Sequence, residues 1–195
     1  MQRAKRFIDK VIEAQPALPP TPPAIHQTVQ KTSPVVTQDF IDYLKKVENG
    51  NNVGLKSGRW YPHKDPSGGF NIGYGHHLSQ AEYLNFSKTG ATDKQVNDLL
   101  VQDIHNAKQK VDDYIRKHYK VNLQLTPKQY QMLIDYVFNI GGLGSFPKMV
   151  DAVLRSDRGT MKKEYKRSAV INGKRQELTG RNQAYAQKFL ECAMA

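Results

Sequence analysis

The stretch from Asn51 to Gly75 is rich in glycine, proline and aromatic residues and shows no helical period, whereas the chain on both sides of it does. This interruption limits the fold more than any other feature. A segment punctuated in this way forms short strands and turns, so a small β region must sit between helices. Upstream, Thr37 is placed to cap a helix that runs to about Glu48, with Phe40, Ile41, Leu44 and Val47 on one side and Asn49-Gly50 as its stop. Downstream, Thr92-Asp93-Lys94-Gln95 forms a capping box, in which the hydroxyl and the amide satisfy each other's free backbone N–H groups. It opens a helix to about residue 118. Thr126-Pro127-Lys128-Gln129 is a second box, with proline at the first helical position. That helix carries Tyr130, Leu133, Ile134, Val137 and Phe138 and ends at Gly141-Gly142. Shorter helices are expected over 146–155, 160–168 and 181–193. The expected fold class is α+β, mainly helical with a small β-hairpin region.

A chain of 195 residues suffices for one domain with a full core and is short for two. Six of the ten prolines lie between Pro16 and Pro34, so 14–36 reads as a stiff, extended linker. It follows a basic amphipathic head, 1–13, with Phe7, Ile8, Val11 and Ile12 on one helical face. That head is either an unstructured tail or an anchor for a partner. The globular part is 37–195. The formal net charge of +11 favours an anionic partner: nucleic acid, a membrane surface or an acidic wall polymer. The basic residues are spread along the chain without a recognised nucleic-acid motif, so nucleic acid is the weakest of these. The single cysteine, Cys192, excludes an internal disulfide. No apolar run reaches the length of a membrane span, and the head is too interrupted for a secretory signal. No His-Glu-x-x-His or carboxylate cluster is present, so neither a metal nor a cofactor is expected.

Glu48 is the position that carries most chemical information. It follows Ile41 by seven residues and Leu44 by four, which puts it on the apolar face of its helix. It also stands at the helix C-terminus, where the macrodipole disfavours negative charge. Burial acts in the same direction, so a proton is held near neutral pH. A solvated glutamate ending a helix is the plainer alternative. Asp65 lies in Tyr61-Pro62-His63-Lys64-Asp65-Pro66-Ser67-Gly68-Gly69-Phe70, a turn-rich setting where a carboxylate stays ionised. A protonated Glu and an ionised Asp form an acid/base division of labour.

These residues, followed by Asn71-Ile72-Gly73-Tyr74-Gly75-His76, resemble the active-site signature of the phage-type lysozymes, muramidases of glycoside hydrolase family 24. There a helix-terminal Glu precedes a β-hairpin Asp, and Thr-Ile-Gly-Tyr-Gly-His follows the Asp by six residues. Asp65 to Asn71 keeps that spacing. Leu125-Thr126-Pro127-Lys128-Gln129, Phe138-Asn139-Ile140-Gly141-Gly142 and Leu178-Thr179-Gly180-Arg181 extend the resemblance over about 40–192. It implies a lysozyme-like fold, with the β region beside an active-site cleft, and bacterial peptidoglycan as substrate. Two departures stand out. The interval from Glu48 to Asp65 is 17, longer than usual in the family, and the extra residues fall in 50–60, ending in Arg59-Trp60. Asn71 stands where the family usually has a threonine that helps to position the attacking water.

The resemblance assigns further roles. Trp60 either stacks on a sugar ring as part of an extended cleft or packs its own hairpin. Asn139 either hydrogen-bonds substrate or caps its helix. His76 and Asp103 correspond to a buried ion pair joining the β region to a helix. Asp103 is expected on the apolar stripe Val96, Leu100, Ile104, Ala107 and Val111. Arg181 corresponds to an arginine that pairs with the glutamate, which would lower the Glu48 pKa against the effect of burial.

The implied reaction is hydrolysis of the β-1,4 bond between N-acetylmuramic acid and N-acetylglucosamine. Glu48 is the acid, Asp65 stabilises the oxocarbenium-like centre and assists water, and Asn71 helps to hold it. Carboxyls about 6.5–9.5 Å apart imply inversion, and about 5–5.5 Å retention. Two rival readings stay open: a lytic transglycosylase using Glu48 alone, and a structural virion or wall-binding protein with a weakened lysozyme fold. Two routes to the wall are open as well. One is host cytoplasm with holin-dependent release, as for an endolysin. The other is a virion that holds the chain through 1–36, bound to other phage proteins, and acts in the host periplasm.

Overall fold

A computed structural model describes residues 34–65, 68–119, 123–171 and 173–191. The expected head, 1–13, lies outside the described residues, as do Cys192 and all but the last three residues of the expected linker. Those three are part of the folded body. Val35 and Val36 pack against the core, and the Gln131 side chain donates a hydrogen bond to the Val35 carbonyl at 2.8 Å.

Helix α1, Gln38–Asn49, starts where Thr37 Oγ1 accepts from the Phe40 N–H at 3.2 Å. Phe40 and Leu44 are wholly buried. The glycine-rich interval then forms five short strands. β1 (Leu55–Lys56) and β2 (Arg59–Trp60) make a hairpin whose Ser57-Gly58 turn has both φ values positive, 47° and 72°, the geometry that matches strand twist. β3 (His63–Lys64), β4 (Phe70–Ile72) and β5 (His76–His77) make an antiparallel sheet in that order, pairing His63 with Asn71 and Asn71 with His77. Gly73, between β4 and β5, lets this sheet lie on α3: a Cβ there would come within 2.7 Å of Val96 Cβ.

Helix α2 (Gln80–Thr89) leads to the long α3 (Asp93–Tyr119) and then to α4 (Pro127–Ile140). Both expected capping boxes form. Thr126 and Gln129 cap α4, and Thr92 and Gln95 exchange hydrogen bonds at the start of α3. Next come α5 (Pro147–Leu154), α6 (Arg158–Glu164), a β6–β7 hairpin (Ser168–Ile171 and Lys174–Glu177), and α7 (Thr179–Tyr185), which runs on as a π-helical turn, Ala186–Glu191. The main core gathers α1, the distal part of α3, and α4 to α7 around wholly buried Leu133, Ile134, Val150 and Tyr185. A smaller core of Trp60, Ile72, Leu78, Phe86, Ala91 and Val96 joins the strands to α2 and the start of α3.

Two elements differ from expectation. α2 buries only Phe86, so it carries no apolar stripe; Ser79-Gln80-Ala81-Glu82, which forms a complete capping box, is its one local signal. The helix expected over 160–168 stops at Glu164, because Ser168 pairs with Glu177 in a hairpin whose second strand is exposed throughout.

The expectation that Trp60 stacks on a sugar is overturned. Trp60 is 2% exposed, its backbone pairs with Ala91, and its indole N–H donates to Asp93 Oδ1 at 2.6 Å. The ring belongs to the smaller core, where the Tyr74 ring lies 5.3 Å away. Trp60→Phe should cost about 1–2 kcal/mol through the lost hydrogen bond and imperfect repacking, read by urea unfolding followed by circular dichroism. A loss below a few tenths would show that the indole contributes little.

Candidate active site

Helix α1 ends on Glu48 and Asn49, and Asn49 ties that end to the sheet. Its Oδ1 accepts from the Val53 N–H at 2.8 Å, and its Nδ2 donates to the Val53 carbonyl at 2.9 Å and the Gly73 carbonyl at 2.7 Å. The β4–β5 turn is thereby held against the helix terminus. A Cβ added to Gly75 would lie 3.9 Å from Glu48 Oε2, so the turn sets its backbone beside this oxygen without a side chain at that position. Asn49 read in sequence as a helix stop only; its clamp joins residues 24 positions apart.

Glu48 Oε1 accepts from Arg181 Nη1 at 2.6 Å. The side chain is 18% exposed. Burial raises its pKa, Arg181 opposes, and burial prevails, so the carboxyl is held above its ordinary value. An arginine donates and never accepts, so Oε1 keeps its lone pair toward Arg181. A proton bound to this carboxyl therefore sits on Oε2, the oxygen facing Gly75. This is the arrangement a general acid needs.

Behind Arg181 stands a buried ion cluster. Arg181 Nη2 donates to Asp135 Oδ1 at 2.7 Å, and Arg167 Nη1 donates to Asp135 Oδ2 at 2.6 Å. Tyr43 adds its O–H to Asp135 Oδ1 at 3.0 Å. The side chains of Asp135 and Arg167 have no exposure at all. Neither residue stood out in sequence. Asp135 lies within the apolar run of α4, and a charge there signals that partners must arrive from elsewhere.

On the sheet, Asn71 Nδ2 donates to Asp65 Oδ2, and His77 Nδ1 lies 3.2 Å from Asn71 Oδ1. The Asn71 amide thus bridges the carboxylate and the imidazole. The Asp65 N–H also bonds the Gly69 carbonyl at 3.2 Å, and the Gly68 N–H bonds the Asp65 carbonyl at 3.0 Å, closing the turn that presents the carboxylate. Nothing in the sequence distinguished His77. Its register opposite Asn71 was the signal, and it required the strand pairing.

His76 Nδ1 lies 2.9 Å from Asp103 Oδ2, joining β5 to α3. Asp103 stands at the edge of the α3 stripe, 26% exposed, so the pair is partly buried and not fully so as expected. Glu82 Oε1 lies 3.6 Å from Nε2. The hydrogen bond to Asp103 raises the His76 pKa, burial opposes it, and the net shift is upward. The protonated ring therefore favours the fold. That contribution is complete below the ordinary value of 6.5 and is lost as pH rises through the raised one. Asp103→Asn should flatten this fall in unfolding midpoint above pH 6.5, measured by thermal melts across pH. An unaltered pH dependence would contradict the pairing.

Asn139 does not cap its helix: Gly141, at φ 79°, does so through its N–H to the Val137 carbonyl at 2.8 Å. Asn139 Oδ1 is buried without a hydrogen-bond partner. Just past it in the chain, a cavity of about 490 Å³ opens between the α4–α5 connection and the β6–β7 hairpin, lined by Ile140, Ser145, Phe146, Ser168 and Arg175 among others. Neither Glu48 nor Asp65 lines it.

Among the described residues, no helix is long and apolar enough to cross a membrane. A sequence model of the family described as phage lysozyme matches residues 54–184. In fold the chain is similar to the muramidase domain of SpmX from Asticaccaulis excentricus. The TM-score is 0.53 at 23% identity, over 80% of this chain and 97% of that one. No curated protein matches the chain.

Proposed function

The chain belongs to the phage lysozyme family, and from that membership we propose that it is an N-acetylmuramidase with Glu48 as acid and Asp65 as the opposing carboxylate. Membership supports peptidoglycan hydrolysis in general. The bond cleaved is proposed to be the β-1,4 link from N-acetylmuramic acid to N-acetylglucosamine. Glu48 Oε2 gives its proton to the oxygen leaving that link, and the C1–O bond breaks. Asp65 offsets the positive charge growing at the sugar ring and takes a proton from the water that attacks C1. Exchange with solvent then returns a proton to Glu48 and removes one from Asp65. With Asp65 acting as base on a water, the new C1 hydroxyl has inverted configuration.

The observation that carries this reading is the largely buried Glu48, its pKa raised by burial and its Oε2 set against the β4–β5 turn, while β4 supplies the residue that fixes Asp65. Mass spectrometry of cleaved glycan tests it. Hydrolysis adds one water per cut; products lacking that water would make the chain a lytic transglycosylase. Proton NMR of the first-formed anomer tests the inversion.

Asn71 is proposed to hold Asp65 in place, with Asn139 and the cavity beyond it receiving more of the glycan. Asn71→Ala should lower kcat by about 10²-fold with KM little changed, because a displaced reacting group costs that much. An equal kcat would remove Asn71 from the machinery.

The charge of +11 suits an anionic wall. We further propose that residues 1–36 tether the chain to virion proteins and that it acts in the host periplasm. Capture of virion proteins on immobilised 1–36 tests this. Absence of the chain from purified particles would favour cytoplasmic accumulation and release through a holin.

A further inference from the structure

Arg181 divides its guanidinium between two carboxylates. Nη1 goes to Glu48 and Nη2 to Asp135, at 2.6 and 2.7 Å. A full arginine–carboxylate pair is bidentate, and that form holds a carboxylate ionised most strongly. Here Glu48 receives one arm. Asp135 can compete for the other because it is itself fixed, by Arg167 on Oδ2 and by Tyr43 on Oδ1.

Arg167 is an expensive group to bury. It has no exposure, and its Nε and Nη2 have no hydrogen-bond partner. The rings of Tyr136 and Tyr185 stand 4.5 and 4.9 Å from its guanidinium carbon and offset part of that cost. Apolar residues in place of such a cluster are often neutral or stabilising. Buried charge of this kind beside a reacting carboxyl points to tuning of that carboxyl.

We propose that Asp135, clamped by Arg167, is a positioning residue for the acid: it draws off one arm of Arg181 and so lets Glu48 keep its proton. This rests on the reading of Glu48 as the acid. The charged groups that bear on Glu48 are Arg181 of α7, Asp135 of α4 and Arg167 before β6, with Tyr43 of α1 bonded to Asp135, while the β4–β5 turn brings the backbone of Gly75. Two arginines and one aspartate present Glu48 with a net single positive charge. Asp135→Asn leaves two positive charges and frees Arg181 for Glu48. Arg167→Met leaves none. The double variant returns the net charge to one. The acid should therefore lose its proton at lower pH in the first, at higher pH in the second, and near the wild-type pH in the third.

The experiment is carbon-13 NMR titration of the Glu48 carboxyl, assigned with Glu48→Gln, alongside the alkaline limb of the kcat/KM profile on purified glycan. Both should move down in Asp135→Asn and up in Arg167→Met, by about half a pH unit or more in each direction. If Asp135→Asn does not fold, Arg167→Met titrating above the double variant carries the same information. Variants that lose activity yet titrate at the wild-type pH would reduce Asp135 to a structural role and overturn the proposal. If the carboxyl titration moves as expected and the rate profile does not, the ion cluster acts as proposed and Glu48 is not the acid.

Discussion

Glu48→Gln is expected to lower the lysis of chloroform-treated Gram-negative cells by about three orders of magnitude while leaving the fold intact. The amide keeps the shape of the carboxyl and can still accept from Arg181, but it has no proton to give. General acid catalysis contributes about 10²–10⁴-fold, and the expected loss falls within that range if Glu48 is the acid, as proposed. The fold should tolerate the change, because Arg181 retains Asp135. Stability should even favour the variant. Glu48 has a raised pKa in the folded protein, so the fold binds more protons than the unfolded chain above pH 4.5. Wild-type stability must fall as pH rises from there through the raised value, and glutamine has no such titration. At neutral pH the variant should melt no lower than wild type. Unchanged lysis would sink the assignment, and loss of lysis together with a collapsed melting temperature would leave the residue a structural one.

Asp135→Ala is expected to cost about 3–5 kcal/mol, because it strands the Arg167 guanidinium away from solvent and leaves Arg181 with Glu48 alone. Arg167 has no other anion within salt-bridge distance among the described residues, and the Tyr43 hydroxyl loses its acceptor as well. For a domain of this size each kcal/mol lowers the melting temperature by about 2–4 °C, so a drop near 10 °C is the result to look for by calorimetry. A drop of one or two degrees would mean that water enters and solvates the arginines. Removing Arg167 together with Asp135 should recover much of the loss, since the penalty lies in the unpaired charge and not in the absent pair.

The two predictions draw on different parts of the chain's logic. Glu48 was legible as a carboxyl with a raised pKa because its helix, its apolar neighbours and its terminal position are all local. The same holds for the helices opened by Thr37, Thr92 and Thr126, whose caps form within three residues of one another. The β region was legible as strands and turns because glycine and proline exclude helix there. α2 and the β6–β7 hairpin were not foreseen: one buries a single side chain, and the second strand of the other is exposed, so neither writes a hydrophobic period.

Trp60 shows where local reading ends. Its place beside Arg59 at the end of an insertion suggested a sugar-stacking edge, yet the bridge to Ala91 and the bond to Asp93 turn it inward. Those partners are about thirty positions away. Asp135, Arg167 and His77 are further cases.

The sequence by itself determined the helices that open on Thr37, Thr92 and Thr126, and that a glutamate with apolar neighbours ends the first of them, because hydrogen bonding along the backbone and side-chain period act over a few residues. Only the tertiary structure decided that Arg181, 133 positions away, shares its charge between Glu48 and Asp135. The pKa of a half-buried carboxyl depends on desolvation and on charges at contact distance, and those distances exist only once the chain has closed on itself.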